Sequence, residues 1–429
     1  MVALAEKISR ETAKLENHIK QRGLPMPSFD VDAPDDFPRL PDEIQASRME
    51  IVNATKQLRD LAVGPRESVR WGVWEFLDVL ALQIIYDYGL AKLVPLDKPI
   101  HLTDLQKLTP LDPVNLARTL RTAMTNHIFA EPSPDVIAHT AASRLLATDS
   151  ELDAWVGFNV GDIFPAANGV LSALRSHPEA TSLTQSGFQF AFNTVDVEPM
   201  FVTFGHDAER AKRMGRAMSS LTGGEGYEVS YFVDEYDFSD IDARGGVLAD
   251  VGGSHGFVSV SLARKWKNMR FIVQDLEKTV DSAPMPVCED SQVADRVTFM
   301  PHDFFTPQTV AADVYYFRWI MHNYSTPYAV SILKNLVPAL KPGNRIIIND
   351  HCVRDAGKEN AWDEKIMRRM DMVMLTLLNA QERSEAEFKE LFRLADESFV
   401  FKGVTRPQGC RMSIIEAIWQ PHKCSSTHG

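Results

Sequence analysis

Residues 241–419 predict an α/β fold built on a largely parallel sheet, and three observations lead there. Short apolar runs alternate with helical patterns: GGVLADVGG, FIVQDL, VTFMPHDFF, DVYYFRWI, a helix over roughly 327–340, then RIIINDHC. Such alternation puts helices on both faces of a parallel sheet. Glycines and acids collect where the runs stop, which is where open α/β sheets bind ligands. The last stretch, FVFKGVTRPQGCRMSIIEAIW, reads as two strands turning around Pro407 and Gly409, so an antiparallel pair completes the sheet.

The N-terminal part has another texture. Residues 1–66 read as helices broken by a proline-rich arm, in which Pro25, Pro27, Pro34, Pro38 and Pro41 exclude helix and central strand. Residues 67–150 follow the order helix, helix, helix, hairpin, a winged-helix pattern on an otherwise all-α module. VWEFLDVLALQIIYDYGL is apolar nearly all round and is expected to be buried. HLTDLQKLT takes Thr103 as its N-cap; DPVNLARTLRTAMTNHIF takes Asp112, with Pro113 at the first helical position. FAEPSPDVIAHT is the two-stranded wing. Residues 151–240 read as a helical connector contributing to a substrate pocket, and 420–429 as a tail.

A winged helix raises DNA binding, which needs a basic footprint. Arg118 and Arg121 stand alone on the third helix of a 429-residue chain with net charge −13. The module therefore reads as a packing or dimerisation unit, with no nucleic-acid partner. No run approaches the roughly 20 apolar residues of a membrane span, and the N-terminus lacks a signal-peptide core. Cys288, Cys352, Cys410 and Cys424 are scattered, with no CxxC. They read as free thiols of a cytoplasmic protein, and nothing among them suggests a metal cage.

The chemistry gathers at the ends of the runs. In ADVGGSHGF, Gly252 and Gly253 let backbone pass close to a ligand, while Asp250 lies just inside the strand end. The GxGxxG spacing of dinucleotide sites does not fit. Asp275 ends the second run, placed to accept from both hydroxyls of a ribose; Asp303 can accept from an adenine amino group with Phe304 against the ring. Three acids in succession would repel a diphosphate. They suit a cationic adenosine cofactor, so S-adenosylmethionine is expected rather than a nicotinamide dinucleotide.

These segments resemble the class I S-adenosylmethionine-dependent O-methyltransferases of the plant caffeate and fungal secondary-metabolite type. LADVGGSHG, QDLEKTV and PHDFF look like the family's first three motifs. YYFRWIMHNYSTPYAVSILKNLVPALKPGNRIIINDHC looks like the segment carrying the catalytic histidine, and MDMVMLTLLNAQERSEAEF like the substrate-wall helix with the acid after it. The resemblance, over about 70–419, implies a seven-stranded Rossmann-like domain and an N-terminal winged-helix domain forming a homodimer. It implies cofactor contacts from Gly252, Asp275, Asp303, Phe304 and Arg318, with S-adenosylhomocysteine as product. It implies His322 as base flanked by Asp350 and Glu382, and Met218, Trp319, Met374 and Asn379 around the acceptor. Arg318 stands where the family often has Lys, Asn323 where it often has Asp, and Asp350 where it has Glu.

The expected reaction is O-methylation of a phenolic or enolic small molecule, such as an aromatic polyketide. A phenol has a pKa near 10 and a neutral imidazole near 6.5 can accept its proton. A carboxylate on the other ring nitrogen fixes the tautomer, a role open to Asp350 or Glu382. The competing expectation keeps the cofactor but performs a pericyclic, decarboxylating or hydroxylating step. His302 and His351 also lie near strand ends, and Asp371 and Glu387 read as solvated helix faces.

Overall fold

The computed structural model describes residues 1–421, which fall into two compact units; all but two residues of the expected tail lie outside the described residues. The first unit comprises Met1–Asn168, Phe201–Gly223 and Asn360–Trp362. Helices Val2–Arg22 and Asp42–Val63 pack against each other, with Ile19 and Ala54 buried and Ser47 donating to the buried Glu11 at 3.0 Å. The arm between them has no ladder to satisfy its carbonyls. Arg144 does so instead, donating to Val31 at 2.7 Å and Ala33 at 3.1 Å and pairing with Asp35. Phe29 stacks on His127 with centroids 3.8 Å apart.

The helical module is not all-α. Three short strands, β1 (Ile100–His101), β2 (Ala130–Ser133) and β3 (Val136–Ala138), form an antiparallel sheet in the order β1-β3-β2. The β2–β3 hairpin was legible; β1 was not, because two residues carry no period. Asp112 caps its helix through the amides of Val114 and Asn115. Thr103 is not a cap: His101 is, its Nδ1 accepting from the Thr103 amide. The apolar segment expected to be buried forms helix Phe76–Asp87, which buries only Ala81 and Ile85. Trp71, Val73, Trp74 and Phe76 are each more than half exposed. An all-round apolar helix needs cover on every side, and the single chain supplies it on one.

The 151–240 connector is not a body of its own. Its residues 151–168 and 201–223 belong to the first unit, and 169–200 and 224–240 to the second.

The second unit carries the seven-stranded mixed sheet. Its strands are β4 (Val247–Val251), β5 (Arg270–Asp275), β6 (Val297–Pro301), β7 (Val314–Arg318), β8 (Arg345–Asp350), β11 (Phe399–Thr405) and β12 (Ser413–Trp419). A separate parallel pair joins β9 (Cys352–Val353) to β10 (Arg383–Ser384). The sheet order is β11-β12-β8-β7-β4-β5-β6, with β12 antiparallel to both neighbours. Every residue of β7 and all but the first of β4 and β8 are buried, the mark of strands covered on both faces. From β4 the chain steps through β5 to β6, then returns to β7 on β4's other side. The strand order reverses between β4 and β7, so a ligand crevice opens above their carboxyl ends.

Candidate active site

The crevice starts at the end of β4. The amides of Gly252 and Gly253 both donate to the Gln274 carbonyl, at 2.7 and 3.1 Å, which turns the chain sharply over β5. Gly252 has φ +75°, and a Cβ there would sit 2.5 Å from Ile320 Cδ1; one on Gly253 would sit 2.6 Å from the Asp250 carboxyl carbon. Both positions therefore require glycine. Asp250 is buried and accepts from Ser259 at 2.7 Å. Burial pushes its carboxyl up to about 6, against the Ser259 bond and with help from the Asp275 charge.

The next acids stand on neighbouring strands. Asp275, ending β5, accepts from the amides of Ser254 and Leu276 at 2.9 and 2.8 Å, which ties the glycine loop to the second strand. Asp303 follows β6, is exposed, and accepts from the Phe305 amide at 2.9 Å. Phe304 lies edge-on to Tyr324 with centroids 5.7 Å apart. This open-sided cradle with an acidic rim fits a cofactor carrying positive charge.

Arg318 closes β7. Its terminal nitrogens donate to Asn349 and, at 2.5 Å, to the Tyr227 carbonyl. Only its buried Nε has no partner among the described residues. The side chain expected at the cofactor is largely committed to holding β7, β8 and the Tyr227 loop together.

Beyond β7, Trp319 takes φ +56° and a 3-10 turn covers Met321–Asn323. Arg383, fully buried, spans the Met321 and Tyr324 carbonyls at 2.7 and 2.6 Å and clamps both ends of that turn. His322 is thereby held in the interior. Its Nδ1 lies 2.9 Å from Glu382 Oε1, and its amide donates to Asp350 Oδ2 at 3.1 Å. The two acids thus take different atoms: Glu382 the ring, Asp350 the backbone. His322 Nε2 has no partner among the described residues. Trp319 packs beside the imidazole, centroids 4.8 Å apart.

Charge follows this geometry. Burial disfavours the His322 imidazolium, but the Glu382 carboxylate outweighs it and the pKa is raised. Burial likewise opposes the Glu382 anion, yet His322 and His351 hold it well below the usual carboxylate range. Asp350 is raised, chiefly by burial.

Of the residues expected around an acceptor, Trp319 and Met374 lie in the second unit, Met374 buried on helix Ala361–Leu378. Asn379 is there too, at φ +50°, with its amide spent on the Ser182 carbonyl at 2.8 Å. Met218 belongs to the first unit, on helix Ala208–Gly223. Four residues escaped assignment as parts of the site. Arg383 and Tyr227 lack any local motif. Asp371, read as solvated, accepts from the Glu382 amide at 2.8 Å. His351, one residue beyond Asp350, reaches within 3.3 Å of Glu382 Oε1; its place in RIIINDHC was the one visible signal.

Residues 180–396 match the model of the O-methyltransferase domain family. Chlorophenol O-methyltransferase of Trichoderma longibrachiatum is 62% identical over 420 residues, covering 98% of this chain and 90% of that protein. The chain belongs to the O-methyltransferase family. The O-methyltransferase also shares its fold with OxaC, solved with sinefungin and meleagrin (TM-score 0.76, 21% identity, 98% of this chain and 100% of that one). LepI, solved with SAM, is similar too (TM-score 0.72, 20% identity, 97% and 100%). The protein is an S-adenosylmethionine-dependent enzyme of the fungal secondary-metabolite type. The glycines that admit no Cβ and the three strand-end acids match that cofactor's charge and shape. Among the described residues no helix is long and apolar enough to cross a membrane, and no cluster of His, Cys, Asp and Glu could hold a metal.

Proposed function

We propose that this O-methyltransferase methylates the hydroxyl of a phenol, with His322 as general base, and that halogenated phenols are among its acceptors. The observation that carries the reading is the pairing of His322 Nδ1 with Glu382 while Nε2 stays unpaired. Glu382 keeps the proton on Nδ1, so Nε2 presents a lone pair to the phenol. As the phenol's proton moves to Nε2, the carboxylate stabilises the imidazolium; base catalysis of this kind contributes about 10²–10⁴-fold. Bound S-adenosylmethionine supplies a methyl group already activated by a sulfonium. Gly252, Gly253, Asp275, Asp303 and Phe304 would hold it, with Asp250 and Arg318 supporting the loop from behind. Trp319 and Met374 would form the apolar wall of the acceptor site, with Asn379 at its margin.

The acceptor class follows from the Trichoderma relative, named for chlorophenols, and from the apolar character of Trp319 and Met374. Chlorine lowers a phenol's pKa and narrows the gap to the imidazole, so such acceptors ask least of the base. The intact histidine and carboxylate pair favours methyl transfer over a pericyclic or decarboxylating step, which needs no such base. The helical module is read as a winged-helix dimerisation unit, with the exposed apolar run from Val69 to Leu80 covered by a second copy. The free described cysteines suit a cytoplasmic setting.

The deciding experiment incubates the protein with S-adenosylmethionine and a panel of chlorinated and unchlorinated phenols. A mass gain of one methyl group with release of S-adenosylhomocysteine is expected. His322→Gln should bind S-adenosylmethionine normally and lose at least about a hundredfold in kcat. Turnover of His322→Gln within a few-fold of wild type would rule out the base assignment.

A further inference from the structure

Glu382 does not serve His322 alone. Its Oε1 lies 2.9 Å from His322 Nδ1 and 3.3 Å from His351 Nδ1, the latter a charge contact too poorly aligned to be a hydrogen bond, while Oε2 has no partner among the described residues. His351 is itself fully buried, and its Nε2 lies 3.2 Å from the Tyr227 hydroxyl. That phenol is fixed in turn: its ring packs against Trp319 at 5.5 Å, and the Arg411 guanidinium sits 5.4 Å from its centroid. Four side chains thus form a chain, His322, Glu382, His351, Tyr227, closed at the far end by packing.

We propose that His351 is a positioning residue that shares the Glu382 carboxylate with His322, and that Tyr227 fixes the tautomer in which it does so. The Tyr227 hydroxyl donates to Nε2, which leaves the ring's single N–H proton on Nδ1, facing Glu382. A carboxylate with a single imidazole partner gives that partner all its compensation, and in a dry site this would leave the base protonated near neutral pH. A second N–H on the same oxygen divides the charge and keeps His322 free to accept. The long, poorly aligned His351 contact suits that role: it tempers Glu382 without displacing His322. The other groups facing the pair are Asp350 on the His322 amide, Asp371 on the Glu382 amide, and Arg383 at the 3-10 turn. Each of these engages backbone, so His351 is the side chain that competes for the carboxylate oxygen.

The proposal rests on His322 being the base, and the two can fail separately. The pH dependence of kcat is measured for wild type, His351→Leu, His351→Asn and Tyr227→Phe, with the KM for S-adenosylmethionine followed in parallel. His351→Leu should move the acid limb up by about one pH unit, a tenfold loss of free base at fixed pH on the limb. The KM for S-adenosylmethionine should stay within about twofold, since no cofactor contact is touched. His351→Asn, whose amide N–H replaces Nδ1–H, should restore the wild-type limb. Tyr227→Phe should shift it in the same direction by less. An unmoved limb in His351→Leu, or one moved downward, overturns the proposal, as does an equal shift in His351→Asn. If His351→Leu fails to fold, Tyr227→Phe decides in the same way. Retention of the acid limb by an active His322→Gln would instead remove the base reading beneath it.

Discussion

His322 Nδ1 and Glu382 Oε1 meet at 2.9 Å with both side chains shut away from water. A buried ion pair of this sort is weak evidence for stability on balance, yet removing one partner is costly because the other stays buried and uncompensated. Glu382→Gln should therefore lower kcat by about ten- to a hundredfold by weakening the hold on the tautomer. It should also move the acid limb of kcat to lower pH, because the carboxylate that raises His322 is gone. A limb that stays in place would show that another group sets the pH dependence.

Above pH 6.5, stability and activity should respond to pH in opposite directions. His322, raised, adds stability that is complete below its ordinary 6.5 and fades as pH climbs through its folded value. Glu382, lowered, adds stability that is complete above its ordinary 4.5 and fades as pH falls through its folded value. Both contributions are present together between 4.5 and 6.5. Thermal unfolding of wild type and Glu382→Gln should differ most in that window and least well above it, while wild-type turnover rises. Equal differences at pH 5.5 and pH 9 would contradict the pairing.

Gly252→Ala should damage the cofactor site first. The new Cβ meets Ile320 at 2.5 Å and the left-handed φ costs about 1–2 kcal/mol for a residue with a side chain. S-adenosylmethionine affinity, followed by calorimetry, should fall by about tenfold or more, with a smaller loss of melting temperature. Unchanged affinity would mean that the turn adapts without cost.

Arg383→Met should destabilise the protein and disorder His322. It strips the buried Met321 and Tyr324 carbonyls of their donor, each worth about 1–3 kcal/mol when left unsatisfied. Arg383→Lys should rescue little, because one ammonium cannot span two carbonyls as a planar fork does. Denaturant melts and kcat together test this; a stable, active Arg383→Met would refute it.

Trp71→Asp combined with Trp74→Asp should yield a monomer by light scattering if a second copy covers that face. Both indoles are more than half exposed in the single chain. A mass unchanged from wild type would place the dimer interface elsewhere or remove it.

The second unit was readable because its strands obey one rule. Val247–Val251 and Val314–Arg318 are buried on both faces and so appear as runs that are apolar except for Asp250 and the closing Arg318, both beside the crevice. His322 could be singled out because it sits where such a run stops. Its partners could not be sorted: Asp350 and Glu382 are 32 positions apart, and only the three-dimensional path of β8 and β10 decides which reaches the ring. Arg383 shows the limit most clearly. A lone arginine beside a glutamate reads as surface charge, and its burial depends on two carbonyls some 60 residues away. The helix at Phe76 failed in the opposite sense, since its composition announced burial that a single chain does not provide.

The proline-rich arm has a consequence for how this enzyme can be shortened. Arg144 reads three successive stations along it, the carbonyls of Val31 and Ala33 and the carboxylate of Asp35, while Phe29 lies flat on His127. The segment behaves as a missing strand would, except that one guanidinium does the work of a ladder. Cutting the chain after the arm would strand a half-buried cation and bare an aromatic face, so a version trimmed to its recognisable domains should be less soluble than the whole.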